Sequence, residues 1–305
     1  MIDFFNQCPN SLMNFYYATS LRNAHSSTYP IKRPDMDSNL QTLLEGENYT
    51  DFGFTALKTP PTIEKYKDWI EQSFHGTMKF MADHTPFKEF PQSLFKNCLS
   101  AIVVTQDYGE TENDNFPLKN LRIAKYAQQK DYHHWFQEKL ERTIKQLQLK
   151  FPSEVFIAAA DSKPVLERDL AYRAGLGWIG KNTCLINSQK GSLFFIGEIL
   201  TSLSLNSVKT THPDRCGSCT KCIDHCPTGA ILEPFVLDAN KCISYLNIEK
   251  RGVIPPSLSS KMNDWFFGCD ICQNVCPWNE KIYKADIKAE QVKTCLLYTS
   301  DAADE

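Results

Sequence analysis

The sequence predicts an α+β or α/β domain followed by a smaller domain organised by metal-binding cysteines. Two observations lead to this prediction. Over roughly residues 49–205, segments with helical periodicity are mixed with short apolar runs, as in folds that combine helices and sheets. From Thr211 the pattern changes to closely spaced Cys, Pro and Gly, and the chain has 12 cysteines in 305 residues. We therefore expect domains over residues 49–205 and 206–282.

Composition limits the class of protein further. Hydrophobic residues make up 42% of the chain, which is enough for a buried core. The mean hydropathy is -0.38 and no run of eighteen apolar residues occurs, so we expect no spanning helix and no membrane association. We also recognise no export signal, and therefore expect a cytoplasmic protein with reduced cysteines.

The elements follow from local patterns. Residues 1–48 are rich in Asn, Ser and Tyr with little periodicity, so we expect a loosely packed N-terminal extension. Apolar residues at helical spacing predict three helices, over residues 63–76, 118–149 and 165–174. Short apolar runs predict five strands, over residues 51–57, 99–105, 155–160, 183–187 and 192–201.

Two segments near the C-terminus differ from the rest. We interpret residues 283–294 as the start of a truncated C-terminal segment. Residues 295–305 resemble the translation of a common sequencing adapter, and an ordinary acidic tail is the alternative. The net charge of -3 comes from three acidic residues in this last stretch. Without it the charges balance, which makes a local basic surface more plausible.

The spacing of the cysteines is the most specific signal. Residues 216–227 form the run C-x2-C-x2-C-x3-C-P of bacterial-type ferredoxins, in which three thiolates bind one [4Fe-4S] cluster and the fourth binds another. Cys242 and the run C-x2-C-x3-C-P at residues 269–277 supply the other ligands. The second domain is therefore predicted to be a bacterial-type 2[4Fe-4S] ferredoxin domain.

The crossover between the two runs divides the eight cysteines into two sets. The first set is predicted to be Cys216, Cys219, Cys222 and Cys276. The second set is predicted to be Cys226, Cys242, Cys269 and Cys272. Zinc is the alternative because it also binds C-x2-C pairs, but zinc sites rarely contain three cysteines in a row at this spacing. We interpret Cys98 and Cys184 as small buried hydrophobic residues.

A glycine-rich segment resembles a nucleotide-binding motif. Residues 175–180 match G-x-G-x-x-G, and Lys181 nearly completes a P-loop. Both motifs need a strand before and a helix after, whereas here a helical segment precedes and an apolar strand follows. We therefore exclude nucleotide binding. The glycines could still let the backbone approach another flat or phosphate-bearing ligand.

Asp161 is a candidate acid. It follows an apolar strand at a position where partial desolvation would raise the pKa of its carboxyl group and suit it to proton donation. An Asp that caps the following helix is an equally good interpretation. The residues alone leave both open.

Several motifs together resemble the epoxyqueuosine reductase family. They include DSKPVLER at 161–168, RAGLGWIGKN at 173–182, GEIL at 197–200, CISYL at 242–246, FGCDIC at 267–272 and PWN at 277–279. The resemblance covers about residues 52–279. It implies a cytoplasmic, cobalamin-dependent iron–sulfur enzyme that removes the epoxide oxygen from the modified wobble base of tRNA, with a first domain similar to the cobalamin domain of reductive dehalogenases.

The resemblance also implies roles for individual residues. Asp161 would be the proton donor and contact the corrinoid together with Asn182 and Ser244, and Arg168 would lie on the tRNA side. Electrons from an external low-potential donor would pass through the two clusters to cobalamin. Cobalamin rests on the resemblance alone, because the chain has no Asp-x-His-x-x-Gly motif. We expect a monomer acting on tRNA that carries epoxyqueuosine.

Three other functions fit part of the sequence. A ferredoxin-type electron-transfer protein would account for the clusters, but not for the large preceding domain. A reductive dehalogenase would be expected to carry a twin-arginine leader. A zinc-based nucleic-acid module would lack the brown colour of iron–sulfur clusters.

Overall fold

The computed structural model describes residues 34–108, 121–161, 163–205, 207 and 209–280. The segments predicted over residues 283–294 and 295–305 lie outside these ranges, as do residues 1–33 of the predicted extension. The described strands are β1 (Asp51–Ala56), β2 (Ser100–Asp107), β3 (Arg122–Ile123), β4 (Phe156–Ala159), β5 (Trp178–Ile179), β6 (Leu185–Ile186), β7 (Phe194–Thr201), β8 (Ile231–Glu233), β9 (Val236–Leu237) and β10 (Trp265–Phe267).

The described helices vary from one turn to five. They are α1 (Pro34–Gly46), α2 (Ile63–Glu71), α3 (Lys79–Asp83), α4 (Thr85–Glu89), α5 (Pro91–Leu94), α6 (Tyr132–Lys150), α7 (Glu167–Arg173), α8 (Lys221–Asp224), α9 (Ile243–Ile248), α10 (Pro256–Ser259) and α11 (Ile271–Asn274). Within the described ranges, no helix is both long enough and apolar enough to cross a bilayer.

A four-stranded sheet forms the centre of the first part of the chain. Its strand order is β1-β2-β7-β4, and each neighbouring pair is antiparallel. The predicted mixed fold class is confirmed. Because these strands are antiparallel, the sheet is of the α+β kind rather than the parallel α/β kind.

Side chains alternate between the two faces of this sheet, and each face has its own core. Ile102 and Ile199 point to the side of α1 and α6. Val103 and Leu200 point to the side of α7. This alternation is the period of two that an extended strand imposes, and both central strands are buried because helices cover both faces.

Two predictions about helices were wrong. The predicted loosely packed extension contains α1, whose Leu40, Leu43 and Leu44 are buried against α6. The helix predicted from residue 118 begins only at Tyr132, where the Asp131 carboxylate accepts a hydrogen bond from the backbone N–H of His133 and caps the helix.

The cysteine-rich part is built from short elements around a small core of its own. Ala239, Ile243, Leu246 and Trp265 belong to this core, and Trp69 from α2 packs against it. Strand β10 also pairs in parallel with β3, from the first part of the chain. The two parts therefore share a packed and hydrogen-bonded boundary.

Candidate active site

Two tight turns carry most of the cysteines. The backbone N–H of Cys219 donates to the carbonyl of Cys216 at 3.0 Å, and that of Cys276 donates to Gln273 at 3.1 Å. The one-turn helices α8 and α11 lie within these two runs and contact each other. Their contact brings the two runs together although they are far apart in the sequence.

Cys276 belongs to the second run but lies near thiols of the first. Burial raises the pKa of the Cys222 thiol to about 11, and the neighbouring Cys216 and Cys276 raise it further. Burial likewise raises the pKa of Cys276, with a further contribution from Cys216. These three thiols therefore share one neighbourhood.

The last cysteine of the first run lies near thiols of the second. Burial raises the pKa of Cys269 to about 12, and the charges of Cys242 and Cys226 add to this. A hydrogen bond with Cys184 and burial raise the pKa of Cys272, and the charges of Cys242 and Cys269 add to it. A crossover between two clusters requires Cys226 beside these thiols, and the full ligand sets stay a prediction.

The thiols are not arranged like the ligands of a single metal ion in the part of the chain that the structure describes. Among the residues that the structure describes, no three His, Cys, Asp or Glu side chains converge as ligands of a single metal ion do. A [4Fe-4S] cube binds each thiolate at a different iron, so its ligands lie further apart. The assignment of the eight thiolates to two such cubes stays a prediction.

The glycine-rich segment forms a hairpin that lies against both cysteine runs. Strands β5 and β6 pair within it. The Lys181 ammonium donates to the carbonyls of Gly217 at 2.6 Å and Cys219 at 2.9 Å, and the Asn182 amide donates to the carbonyl of Cys272 at 3.4 Å. The segment follows α7 and leads into β6, which is the order that argued against nucleotide binding. In this structure its polar groups bind protein carbonyls.

The two other cysteines within the described ranges differ from each other. Cys98 is buried in the core, as predicted. Cys184 is only half-buried, and its thiol forms a hydrogen bond with that of Cys272. The interpretation of Cys184 as a simple hydrophobic residue was therefore wrong, because the hairpin brings it beside a predicted cluster ligand.

Asp161 lies just beyond the end of β4 with its carboxylate held by two side chains of α6. Its φ of 55° is in the left-handed region, which is uncommon for a residue other than glycine and often marks a functional site. The Tyr132 hydroxyl donates to Asp161 Oδ2 at 2.7 Å, and His133 Nε2 lies 3.4 Å from the same oxygen. The Asp161 side chain is 59% exposed, so a large ligand can reach it.

The sequence predicted a raised pKa for the Asp161 carboxyl group, and this prediction was wrong. Desolvation raises the pKa, but hydrogen bonds with His133 and Tyr132 outweigh it and hold the pKa below its usual value. The alternative role as a helix cap is not observed either, because Leu166 is the N-cap residue of α7. Asp161 is therefore a carboxylate that protonated neighbours contact directly.

Those neighbours hold protons at neutral pH. Hydrogen bonds with Asp131 and Asp161 raise the pKa of His133 to about 9. Burial and the charge of Asp161 raise the pKa of the Tyr132 hydroxyl above its usual value. Both side chains can therefore donate a hydrogen bond to the ionised Asp161 carboxylate, and the protonated His133 is the more acidic of the two donors.

Two further carboxyl groups lie on the inner side of Asp161. Glu167 Oε1 accepts a hydrogen bond from the backbone N–H of Asp161 at 2.7 Å. Burial and the charge of Asp161 raise the pKa of Glu167 to about 7. Burial also raises the pKa of Glu198, which is fully buried on β7, well above its usual value.

The remaining predicted contacts lie around Asp161 and the second set of thiols. Arg168 is exposed and donates to the carbonyl of Thr183 at 2.7 Å, next to Asn182. Its charge contributes to the lowered pKa of Asp161. Asn182 contacts the backbone of Cys272, and the backbone of Ser244 forms a hydrogen bond with Cys242. The roles of these side chains stay predictions.

Sequence reasoning missed Tyr132, His133, Glu167 and Glu198. One usable signal was the acidic Glu198 inside the otherwise apolar strand over residues 192–201, because a charge at such a position is rarely accidental. No comparable signal marked Tyr132 and His133. Their contact with Asp161 depends on how α6 packs across the sheet.

The fold and the site define a class of protein. An α+β domain with a carboxyl-lined site adjoins a cysteine-rich domain with two groups of thiols, as in an iron–sulfur oxidoreductase. Two known families match parts of the chain. The family described as "4Fe-4S double cluster binding domain" matches residues 215–279, and "Epoxyqueuosine reductase QueG, DUF1730" matches residues 89–162.

Individual relatives extend this similarity over both domains. The chain is 41% identical over 215 residues to the epoxyqueuosine reductase of Cyclobacterium marinum, and this match covers 70% of this chain and 69% of that protein. It is 38% identical over 236 residues to the epoxyqueuosine reductase of Escherichia coli, and this match covers 76% of this chain and 62% of that protein. The chain belongs to the epoxyqueuosine reductase family.

A solved structure agrees with this assignment. The crystal structure of an epoxyqueuosine reductase with an epoxyqueuosine-modified tRNA-Tyr stem loop matches with a TM-score of 0.73 and 26% identity. The match covers 81% of this chain and 66% of that one. Family membership accounts for the large first domain, which a plain ferredoxin would not have.

Proposed function

We propose that this chain reduces epoxyqueuosine to queuosine at the wobble position of tRNA. The observation that carries the proposal is its identity of about 40% to epoxyqueuosine reductases across both domains. The site is consistent with this activity, because Arg168, whose charge acts on Asp161, contacts Thr183 next to Asn182, and Asn182 contacts the backbone of Cys272. One family member has also been solved with an epoxyqueuosine-modified tRNA stem loop.

The chemistry of the reaction sets the requirements of the site. Converting the epoxide to an alkene breaks two C–O bonds and releases the oxygen as water. This consumes two electrons and two protons. The two clusters would pass the electrons singly from an external low-potential donor, while acidic side chains of the first domain provide protons.

Asn182 and Ser244 are the residues that we expect to hold cobalamin. Both residues adjoin cysteines of the second set. The Ser244 hydroxyl suits the carboxamide-bearing rim of a corrin ring, whereas the buried Asn182 amide bonds the backbone of Cys272 and Cys184 and would line the site. When bound, cobalamin would supply an electron pair at a potential that no side chain reaches.

Asp161 would be the acid that contacts the departing oxygen. A tRNA loop that covers its exposed side would remove water and raise the pKa of its carboxyl group toward that of a proton donor. Tyr132 and His133 then hold the carboxyl in place, and His133 returns a proton to it from the solvent side. Arg168 is exposed beside this site and would contact a tRNA phosphate.

The proposal includes the setting of the reaction. The substrate is tRNA, so the proposed location is the cytoplasm. We further propose that the chain acts as a monomer and takes electrons from a separate low-potential protein.

A reconstitution assay tests this function. Protein loaded with iron, sulfide and cobalamin is given reduced methyl viologen and tRNA that carries epoxyqueuosine, and the nucleosides are analysed by mass spectrometry. We expect queuosine to form, and not to form when cobalamin is omitted. Unchanged epoxyqueuosine with fully loaded protein would overturn the proposal.

A further inference from the structure

Asp131 holds the ring of His133 beside Asp161. It is the N-cap residue of α6, and its Oδ1 accepts a hydrogen bond from the backbone N–H of His133 at 3.0 Å. The same oxygen lies 2.7 Å from Nδ1 of the His133 ring. Because one carboxylate oxygen contacts both the backbone and the ring, the start of the helix and the orientation of the imidazole depend on the same side chain.

This contact decides which nitrogen of His133 exchanges its proton. The hydrogen bond from His133 lowers the pKa of Asp131, which is therefore ionised at neutral pH. An ionised carboxylate only accepts hydrogen bonds, so Nδ1 of His133 must carry a proton. The proton that His133 gains and loses is then the one on Nε2. Nε2 is the atom that faces Asp161, at 3.4 Å from Oδ2.

His133 is also the neighbour of Asp161 that water can protonate again. Its side chain is 52% exposed, whereas Tyr132 is partly buried and burial raises the pKa of its hydroxyl group above the usual value. The Tyr132 hydroxyl therefore donates a hydrogen bond to Asp161 without giving up its proton. The imidazolium of His133 can give up a proton and regain it from solvent.

The stoichiometry of the reduction gives this arrangement a use. Each turnover consumes two protons at the departing oxygen. A single carboxyl group at Asp161 delivers one proton and must be protonated again before it delivers the next. A proton donor that already points at the carboxylate can do this while tRNA covers the site.

We propose that Asp131 is a positioning residue that aims Nε2 of His133 at Asp161, so that His133 supplies the second proton of the reduction through Asp161. After Asp161 gives its own proton to the departing oxygen, the carboxylate takes the Nε2 proton and delivers it to the same oxygen, which leaves as water. His133 is left neutral, with its Nδ1 proton held by Asp131. The two electrons come from the external low-potential donor, and solvent returns both protons after product release. This inference rests on the proposed function.

The charges around His133 determine the effect of removing Asp131. Asp131 and Asp161 are the carboxylates that contact the ring within the described ranges. Hydrogen bonds with Asp131 and then Asp161 raise the pKa of His133 to about 9, so loss of the Asp131 charge should lower that pKa. The other titratable or charged groups near the pair are Tyr132 and His134 of α6, Lys88 of α4, Glu167 and Arg168 of α7, Glu198 of β7 and Glu249 at the end of α9.

The test compares D131N, D131S and the control D83N. In D131N the amide oxygen can still accept both hydrogen bonds from His133, but the side chain carries no charge. In D131S the hydroxyl can still cap α6, but it is too short to reach the ring as well. Asp83 pairs with Lys79 on an exposed part of α3, so D83N makes the same chemical change away from the site.

Two measurements are made on cluster-loaded protein. Nitrogen-15-labelled histidine is titrated by NMR, with H133Q to assign the signals of His133, which gives its pKa and the nitrogen that carries the proton of the neutral ring. Turnover of epoxyqueuosine-tRNA is measured from pH 6 to pH 9.5 on the cobalamin-loaded enzyme. A merely structural role of Asp131 would lower kcat equally at every pH.

We expect the neutral His133 ring of the parent to carry its proton on Nδ1. The pKa of His133 should fall by about 1 to 2 pH units in D131N and D131S, and the alkaline limb of the kcat profile should move down by the same amount. Their kcat should stay within about twofold of the parent at pH 6 and be about tenfold lower at pH 8.5. KM for tRNA should not change, and D83N should match the parent.

Each other result overturns the inference in a distinct way. An unchanged pKa in both Asp131 variants, or a neutral parent ring protonated on Nε2, would mean that Asp131 does not position the ring. A lower pKa with an unmoved kcat profile would mean that the His133 proton is not used. If the parent itself is inactive, the proposed function fails and the proton supply fails with it, while the NMR titration still decides whether Asp131 positions His133. If D131N does not fold, D131S decides by the same measurements.

Discussion

Asp161 shows what a single residue reveals before and after the fold is known. Its position after an apolar strand marked it as a candidate acid, but the same reasoning gave the wrong direction for its pKa. The reason is that Tyr132 and His133 reach it from α6, which lies earlier in the chain and approaches only through tertiary packing. Sequence can identify a carboxyl group, whereas its protonation depends on such distant partners.

Replacing Asp161 with Asn tests its role as the acid. The Asn side chain can still accept the Tyr132 hydrogen bond, so the fold and both clusters should be retained, while turnover should fall about 10²- to 10⁴-fold because the acid is lost. Turnover of epoxyqueuosine-tRNA and absorbance near 400 nm are measured together. D83N is the control, since Asp83 pairs with Lys79 on an exposed part of α3. Turnover of D161N close to that of the parent would exclude this role.

At the scale of elements, the patterns that depend on neighbouring residues were the reliable ones. The five predicted strands all correspond to observed strands, because buried strands show as short apolar runs. The start of the long helix was misplaced, because residues 122–123 instead pair with the distant β10. Helix α1 was missed because its apolar residues occupy only its last turns, after a polar and aromatic stretch.

The β5–β6 hairpin gives a prediction about packing. A Cβ atom on Gly177 would overlap the carbonyl oxygen of Ile186 and lie 2.8 Å from its carbonyl carbon. G177A should therefore destabilise the protein by about 3 kcal/mol and lower the thermal midpoint by about 5 °C or more. G46A is the control, because a Cβ atom there meets nothing within 4 Å. Equal midpoints for the two variants would contradict the close packing of the hairpin.

The same hairpin gives a prediction about the first cluster. Lys181 holds the turn at Gly217 and Cys219 through two hydrogen bonds from its ammonium group. K181M removes both hydrogen bonds, so a chelator should remove iron from the protein about tenfold faster. This rate corresponds to a free energy of local opening that is lower by about 1.4 kcal/mol. K190M, in the exposed turn that follows β6, should behave as the parent does. Equal rates for all three proteins would show that Lys181 does not stabilise the cluster turn.

At the scale of the whole molecule, the crossover of cysteines joins distant parts of the chain. The spacing alone predicted two groups. The charges of Cys276 and Cys226 each act on a thiol of the other run, and the assignment of the ligands stays a prediction. The boundary between the domains could not be predicted in the same way. It depends on individual hydrogen bonds, such as that from Asn279 to Ser192 at 2.9 Å, which have no local signature.

Paired substitutions test the crossover. C216A and C276A should each lose one cluster, about four irons, and the double variant should lose no more, because both residues would bind the same cube. C226A combined with C276A should lose about eight irons. Iron content is measured on soluble protein whose circular dichroism matches the parent. Complete loss of iron in C216A/C276A would contradict the crossover, because it would mean that each run binds its own cluster.

The formation of queuosine in living cells shows whether this chain converts epoxyqueuosine to queuosine in tRNA. The most direct measurement is mass analysis of tRNA nucleosides from a strain that lacks its own epoxyqueuosine reductase and expresses this chain. We predict that queuosine appears at the expense of epoxyqueuosine, and that the D161N variant leaves epoxyqueuosine in place. This function would be contradicted if the tRNA of cells that contain the brown, cluster-loaded protein carried epoxyqueuosine and no queuosine.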